Sequence, residues 1–180
     1  SVSLVMQNIM PNISSVLGEG ASAEYSDGGE WWGSLTNLDI SSGYWVRMKD
    51  INDNGIIDPV ATLSGSGFPY NVKREYTLHT GPNLVSFPSA GSFDIASALP
   101  TEAAAHIQAI IGEGQIIINN DFYDIEDSTA TNGDLDDDSE EDGWFGSLNK
   151  FEGLHGYWIF ADAAFSFSYN LGPDDMAREA

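Results

Sequence analysis

Residues 13–20 read Ile-Ser-Ser-Val-Leu-Gly-Glu-Gly, and residues 107–114 read Ile-Gln-Ala-Ile-Ile-Gly-Glu-Gly, 94 positions further on. How this octet folds decides the architecture, because it heads each of two copies of one unit. Residues 31–46, W-W-G-S-L-T-N-L-D-I-S-S-G-Y-W-V, return as residues 144–159, W-F-G-S-L-N-K-F-E-G-L-H-G-Y-W-I, 113 positions on. Three shared signatures in one order, GEG, WxGSL and GYW, mark a tandem duplication. The offsets of 94 and 113 differ by 19, so the second copy carries a 19-residue insertion between its GEG and its WFGSL.

Within each copy the local pattern repeats. Ile9, Ile13, Val16 and Leu17 follow i, i+4, i+7, i+8, which predicts one face of a helix, and Ala103, Ile107, Ile110 and Ile111 repeat it. Gly18 and Gly112 then stand where a left-handed helix C-cap is wanted. Trp31–Leu35 and Tyr44–Met48 alternate as strands around a turn containing Ser42-Gly43, and Trp144–Leu148 and Tyr157–Ala161 do the same. Phe165, Phe167 and Tyr169 add an alternating strand, and Asn83–Pro88 reads as a buried strand ended by proline. The expected fold is therefore α+β (or α/β): two pseudo-symmetric tandem repeats, each a helix packed on a small, mainly antiparallel sheet.

Residues 1–64 are assigned to the first repeat and 65–180 to the second, with the acidic insertion inside 115–143. The alternative is one compact pseudo-twofold domain. The first copy has no counterpart of Leu84–Pro88, as expected of a fragment or of a unit whose strand a neighbouring chain supplies by β-augmentation. Ser1 opens on a helical pattern, as in a mature or trimmed segment, and Gly172–Asp175 opens a further helix.

Six Lys and Arg against 28 Asp and Glu give a formal charge of −22. Such a surface repels phosphate backbones and anionic lipid, which argues against nucleic-acid or membrane-surface partners. It suits cation binding, or plain solubility in a salty medium that screens the self-repulsion. Without cysteine there is neither a disulfide framework nor a thiolate metal site. No run approaches the roughly 20 apolar residues of a membrane span, so membrane insertion is not expected.

Two loops have the spacing of calcium sites. In Asp50-Ile51-Asn52-Asp53-Asn54-Gly55-Ile56-Ile57-Asp58, oxygen-bearing side chains stand at positions 1, 3, 5 and 9, and glycine stands at 6. Alternate side chains can converge on one cation there: Asp50, Asn52, Asn54 and Asp58 are the candidate ligands, with the Ile56 carbonyl at position 7. Ala61 at position 12 replaces the bidentate glutamate of an EF-hand. The loop resembles the short calcium loops of thrombospondin type 3 repeats and, more loosely, of dockerins. In the insertion, Asp134, Asp136, Asp138 and Asp142 repeat the 1, 3, 5, 9 spacing, but Ser139 takes the glycine position. Solvated acidic turns are the competing reading of both loops.

Strand alternation assigns the aromatic residues to faces. Trp31 shares a face with Leu35, and Trp144 with Leu148, which makes them core. Trp32 and Phe145 lie opposite, and Trp45 and Trp158 fall on the face away from Tyr44 and Tyr157. Trp32, Trp45, Phe145 and Trp158 are thus candidates for an aromatic platform that stacks on sugar rings, or for packing between the repeats. Glu19 and Glu113 recur in the two GEG turns and could form an acid/base pair. Repetition of one turn accounts for them more simply, so a glycoside hydrolase is the least favoured reading. No histidine metal spacing, nucleophile elbow or phosphate loop is present in the sequence.

The run T-L-H-T-G-P-N-L-V-S-F-P (77–88), followed by GEG, WFGSL, GYWI and F-S-F-S-Y, is similar to repeat modules in large secreted proteins of marine bacteria. That resemblance covers most of residues 75–171 and, more weakly, 9–48. It implies an extracellular or cell-surface location and a repetitive architecture, and it transfers no catalytic residue. The expectation is a non-enzymatic structural or adhesive module with structural Ca²⁺. Its partners would be other modules of the same polypeptide, neighbouring subunits, or a glycan.

Overall fold

The computed structural model describes residues 1–26, 28–50, 61–64, 71–122 and 143–172. The repeated octet is a β-strand in both copies. In the first copy β1 (Ile13–Gly18), β2 (Ala21–Tyr25), β3 (Trp31–Gly33) and β4 (Trp45–Met48) form an antiparallel sheet in the order β3-β2-β1-β4. There follow β5 (Tyr76–Leu78), β6 (Gly81–Ser86) and β7 (Ser92–Asp94). The second copy then repeats the first with β8 (Ile107–Gly112), β9 (Gln115–Asn119) and β10 (Trp144–Gly146). After β11 (Lys150–Glu152) it closes with β12 (Gly156–Ala161) and β13 (Phe165–Phe167). Its sheet runs β10-β9-β8-β12-β6, and β11–β7 and β13–β5 are two-stranded pairs.

The helix-on-sheet expectation is therefore corrected: this is a predominantly β protein. Its described α-helices are single turns, α1 (Val2–Met6), α2 (Ile95–Ala98) and α3 (Thr101–Ala104). The cause of the error is a β-bulge at one place in each copy. Opposite β4, residues Met48 and Arg47 pair with Ile13 and Ser15, so Ser14 is an extra residue. Opposite β12, residues Ala161 and Phe160 pair with Ile107 and Ala109, so Gln108 is extra. A bulge shifts the in/out alternation by one residue. Ile13 and Val16, three apart, are then both 0% exposed, as are Ile107 and Ile110. An apolar spacing of three, read as helical, is a bulged strand.

The GEG turn, expected as a helix cap, is the hairpin between β1 and β2 and between β8 and β9, with Gly20 and Gly114 at positive φ. Other signature residues have equally local causes. Gly33 and Gly146 of WxGSL sit at φ 131° and 150°, where a Cβ would stand 2.2 Å from the Ser22 carbonyl oxygen and 2.3 Å from that of Ile116. Tyr44 and Tyr157 of GYW lay their rings on Gly18 and Gly112. Their hydroxyls accept from the Asp39 and Glu152 backbone N–H groups, at 2.7 Å in both copies. The signatures are folding instructions.

Two apolar clusters follow the two copies. The smaller gathers Val2, Met6, Ile9, Ile13, Val16 and Ala23, with Trp31, Leu35, Tyr44, Val46 and Met48 packed against it. The larger joins Ile107, Ile110, Ile117, Leu148, Tyr157 and Ile159 to Val85, Phe87, Phe151, Tyr76 and Tyr169. Phe87 stacks on Phe151 at 5.2 Å, and Tyr169 meets both rings edge-on. Offset and edge contacts of this kind add about 0.5–1.5 kcal/mol each beyond burial. Burial drives the Tyr169 hydroxyl well above the usual tyrosine range, so it stays neutral.

The copies meet along β6. One edge of β6 pairs with β12, Leu84 opposite Trp158. On the other edge, Gly43 N–H donates to the Leu84 carbonyl and Ser86 N–H to the Ser41 carbonyl, both at 3.0 Å. The Ser86 hydroxyl donates to the Ile40 carbonyl at 2.6 Å, and Leu84 N–H donates to Glu19 Oε2 at 2.9 Å. Beside this seam the equivalent glycines Gly43 and Gly156 abut. A Cβ on Gly156 would lie 3.0 Å from the Gly43 Cα, and one on Gly43 would lie 3.1 Å from the Gly156 Cα. Only glycine lets the two main chains come this close.

Candidate functional site

The outward faces of the two sheets are built on one register with different residues. In the first copy Trp32 lies opposite Glu24, Glu24 opposite Ser15, and Ser15 opposite Arg47. This row floors a cleft that is also lined by Ser14, Tyr25, Lys49 and Asp50. The Trp32 side is 63% exposed. Trp32, Glu24 and Arg47 alternate outward because the inward positions between them hold Ala23 and Val46, which pack in the small core. An open indole beside a carboxylate and a guanidinium can stack on an apolar ring face while accepting and donating hydrogen bonds at its rim.

The same register in the second copy runs Phe145, Ile118, Ala109, Phe160, Pro82 across five strands. A neighbouring row runs Ile116, Ile111, Trp158, Leu84. Phe145 is 63% exposed and Ile116 40%, so this face presents apolar surface where the first copy presents charge. The four aromatic residues singled out in the sequence thus divide. Trp32 and Phe145 are exposed on the edge strands, whereas Trp45 and Trp158 are half-buried nearer the seam. They do not form one platform: each sheet carries its own pair. Trp31, Leu35, Trp144 and Leu148 pack inward as alternation requires.

Of the first calcium loop, Asp50 is described, half-buried at the end of the Trp32 cleft. Asn52, Asn54, Ile56 and Asp58 lie outside the described residues, as do Asp134, Asp136, Asp138 and Asp142. Among the described residues, no group of three or more His, Asp or Glu side chains converges as a metal site.

Glu19 and Glu113, the recurring turn acids, do not face one cleft. Glu19 reaches across the seam, where its Oε1 receives His79 Nε2 and its Oε2 receives the Leu84 amide. His79 Nδ1 contacts the Thr80 carbonyl at 2.8 Å, so both ring nitrogens face acceptors. Those contacts, the Thr80 carbonyl first and Glu19 second, hold the imidazole above its usual value. His106 meets Asp162 at 3.0 Å on the far side of the second copy. Ser41 hydrogen bonds hold the Asp39 carboxyl below the usual carboxylate range. The seam role of Glu19 and the outward row of Glu24 and Arg47 are absent from a reading of motifs. Leu84 is 65 residues from Glu19, and Trp32, Glu24 and Arg47 are brought together by register.

No described helix is long and apolar enough to cross a membrane. No protein family, curated protein or solved structure matches the chain.

Proposed function

We propose that the chain is a non-enzymatic structural or adhesive module of a larger extracellular or cell-surface assembly, stabilised by calcium in the Asp50–Asp58 loop. The observation that supports this most is the seam. Two copies of one unit are joined by main-chain hydrogen bonds around β6, and the Glu19 carboxylate helps to fix that joint. Such a joint suits a part that holds geometry. The charge of −22 suits a medium rich in divalent cations. For calcium at ten to a hundred times its dissociation constant, occupancy of one site adds about 1.4–2.7 kcal/mol.

Thermal melts in millimolar calcium, in magnesium and in chelator test this reading, on the wild type and on Asp50→Ala/Asn52→Ala. A calcium-specific rise in Tm that the double variant loses is the expected outcome. Equal Tm in calcium and chelator would reduce the loop to a solvated turn and remove calcium from the proposal.

A second reading, a carbohydrate-binding module, is favoured by Trp32, open beside Glu24 and Arg47. It predicts oligosaccharide binding that Trp32→Ala abolishes and Phe145→Ala leaves intact. Titration against a glycan panel, read by calorimetry, decides it; binding that survives Trp32→Ala sinks it.

A further inference from the structure

In the second copy the strand β12 is bonded along both edges, to β8 and to β6. Its equivalent in the first copy, β4, pairs with β1 alone among the described residues. Groups that hold β6 have counterparts around that edge, which no described strand pairs. β12 corresponds to β4, the Ser41–Gly43 arm to Leu154–Gly156, and Glu19 to Glu113, by the repeat offsets. These counterparts converge: Tyr44, Trp45 and Val46 of the β4 side, Glu113, and Leu154, His155 and Gly156 line one cleft.

The cleft continues into a largely apolar groove walled by Met6, Leu38, Tyr44, Val46 and Leu63, and lined also by Phe87 and Arg74. On β6 and just after it, Val85 and Phe87 are packed into the larger cluster and are only 6% and 5% exposed. Leu154, at the lip, is 97% exposed, and it alone among the described non-glycine residues has a left-handed backbone, φ 66°. Its counterpart Ser41 is covered by β6 and accepts the Ser86 amide.

We propose that this cleft is a strand acceptor. It takes one extended, uncharged peptide segment of the Gly81–Pro88 type, from a further unit of this repeat outside these 180 residues. The segment lies antiparallel to β4. Its residue equivalent to Leu84 donates its N–H to Glu113, and its residues equivalent to Val85 and Phe87 enter the groove. The chemistry of the occupant is set by the occupant of the other half: residues 81–88, Gly-Pro-Asn-Leu-Val-Ser-Phe-Pro, contain no charge. An acidic segment would be repelled by Glu113 and by a chain of net charge −22. Main-chain bonds to an open strand edge give affinity, and alternate side chains in pockets give register.

The register is specific enough to trap. Leu84 spends its N–H and C=O on Glu19 and Gly43, so Leu84 and Trp158 are a non-hydrogen-bonded pair. Such pairs bring Cα atoms to about 4.5 Å, within disulfide reach. The equivalent position on β4 is Trp45, and the chain has no cysteine of its own. The probe is the capped peptide of residues 81–88 with cysteine replacing either its Leu or its Val, oxidised against Trp45→Cys.

The Leu-position peptide is expected to crosslink at least tenfold faster than the Val-position peptide, and Glu113→Gln to slow it several-fold. Equal rates for both peptides overturn the register, and no crosslink overturns the site. Hydrogen exchange on the unaltered protein with the cysteine-free peptide guards against misfolding of the variant. Binding is expected to slow exchange at the Tyr44 and Val46 amides at least tenfold. Unchanged exchange across 44–48 at millimolar peptide, or changes confined to β12, would refute the acceptor.

Discussion

The two halves share a skeleton and differ in what they turn outward. In both, a bulged strand, a two-residue hairpin, a positive-φ glycine and a tyrosine hydroxyl on a backbone amide set the same sheet. Outside that frame, Trp32, Glu24 and Arg47 in one half answer to Phe145, Ile118 and Phe160 in the other. A β-sheet permits this division because its side-chain period is two: the inward set is held by packing, and the outward set is free to change without disturbing it. Similarity between the halves therefore marks what the fold requires, and dissimilarity marks where each half meets its surroundings.

The comparison breaks most visibly in the cores. Ile110→Ala and Ile13→Ala each remove a side chain that is 0% exposed, and each is expected to cost about 2–5 kcal/mol. With a seam of main-chain bonds coupling the halves, both substitutions should shift one shared denaturation transition. If Ile13→Ala instead splits the curve in two, the halves are thermodynamically separate and the seam is weaker than either core.

At the seam itself, Gly43→Val places a Cβ 2.7 Å from the Val85 carbonyl oxygen and 3.1 Å from the Gly156 Cα. A loss of about 1–3 kcal/mol is expected from the overpacking. It should be accompanied by faster hydrogen exchange at Leu84 and Ser86, and unchanged exchange there would mean the seam does not depend on close approach.

Tyr157→Phe and Tyr44→Phe sharpen the comparison more gently. Each strips the acceptor from a backbone amide, at a cost of about 0.5–1.5 kcal/mol. The bond to Glu152 is part-buried and the bond to Asp39 exposed, so Tyr157→Phe should cost more in urea titrations. The reverse order would break the equivalence drawn between the two turns.

The smallest effect belongs to His79, whose exposed ring bridges Thr80 and Glu19. Its folded pKa lies above its ordinary value, so its contribution is complete below about pH 6.5 and disappears as pH rises through the raised value. His79→Gln should flatten a slight fall in Tm over that window. A wild-type profile identical to that of the variant would show that the bridge adds nothing to stability.

Much of this was legible in the order of residues, and the reasons for the rest are physical. The duplication is visible because turns and close contacts admit few residue types, which keeps GEG, WxGSL and GYW alike. Trp31 and Trp32 could be assigned to opposite faces because β3 pairs with β2 without a shift of register. The octet was misread because the extra residues Ser14 and Gln108 convert a period of two into a spacing of three, which helices also produce. The partners of Glu19 could not be read at all. His79 and Leu84 come to it through β6, a strand that the repeat pattern assigns to the other copy.

Gly43 and Gly156 touch each other, and they are the same residue of the repeat. A site that meets its own duplicate lies on an approximate dyad, as in an isologous dimer. A lone unit would then carry a self-complementary surface, able to pair with a second identical molecule. With both units on one chain that contact is intramolecular, so its formation does not depend on protein concentration. Because the two units differ in sequence, the shared contact is compatible with different outward faces.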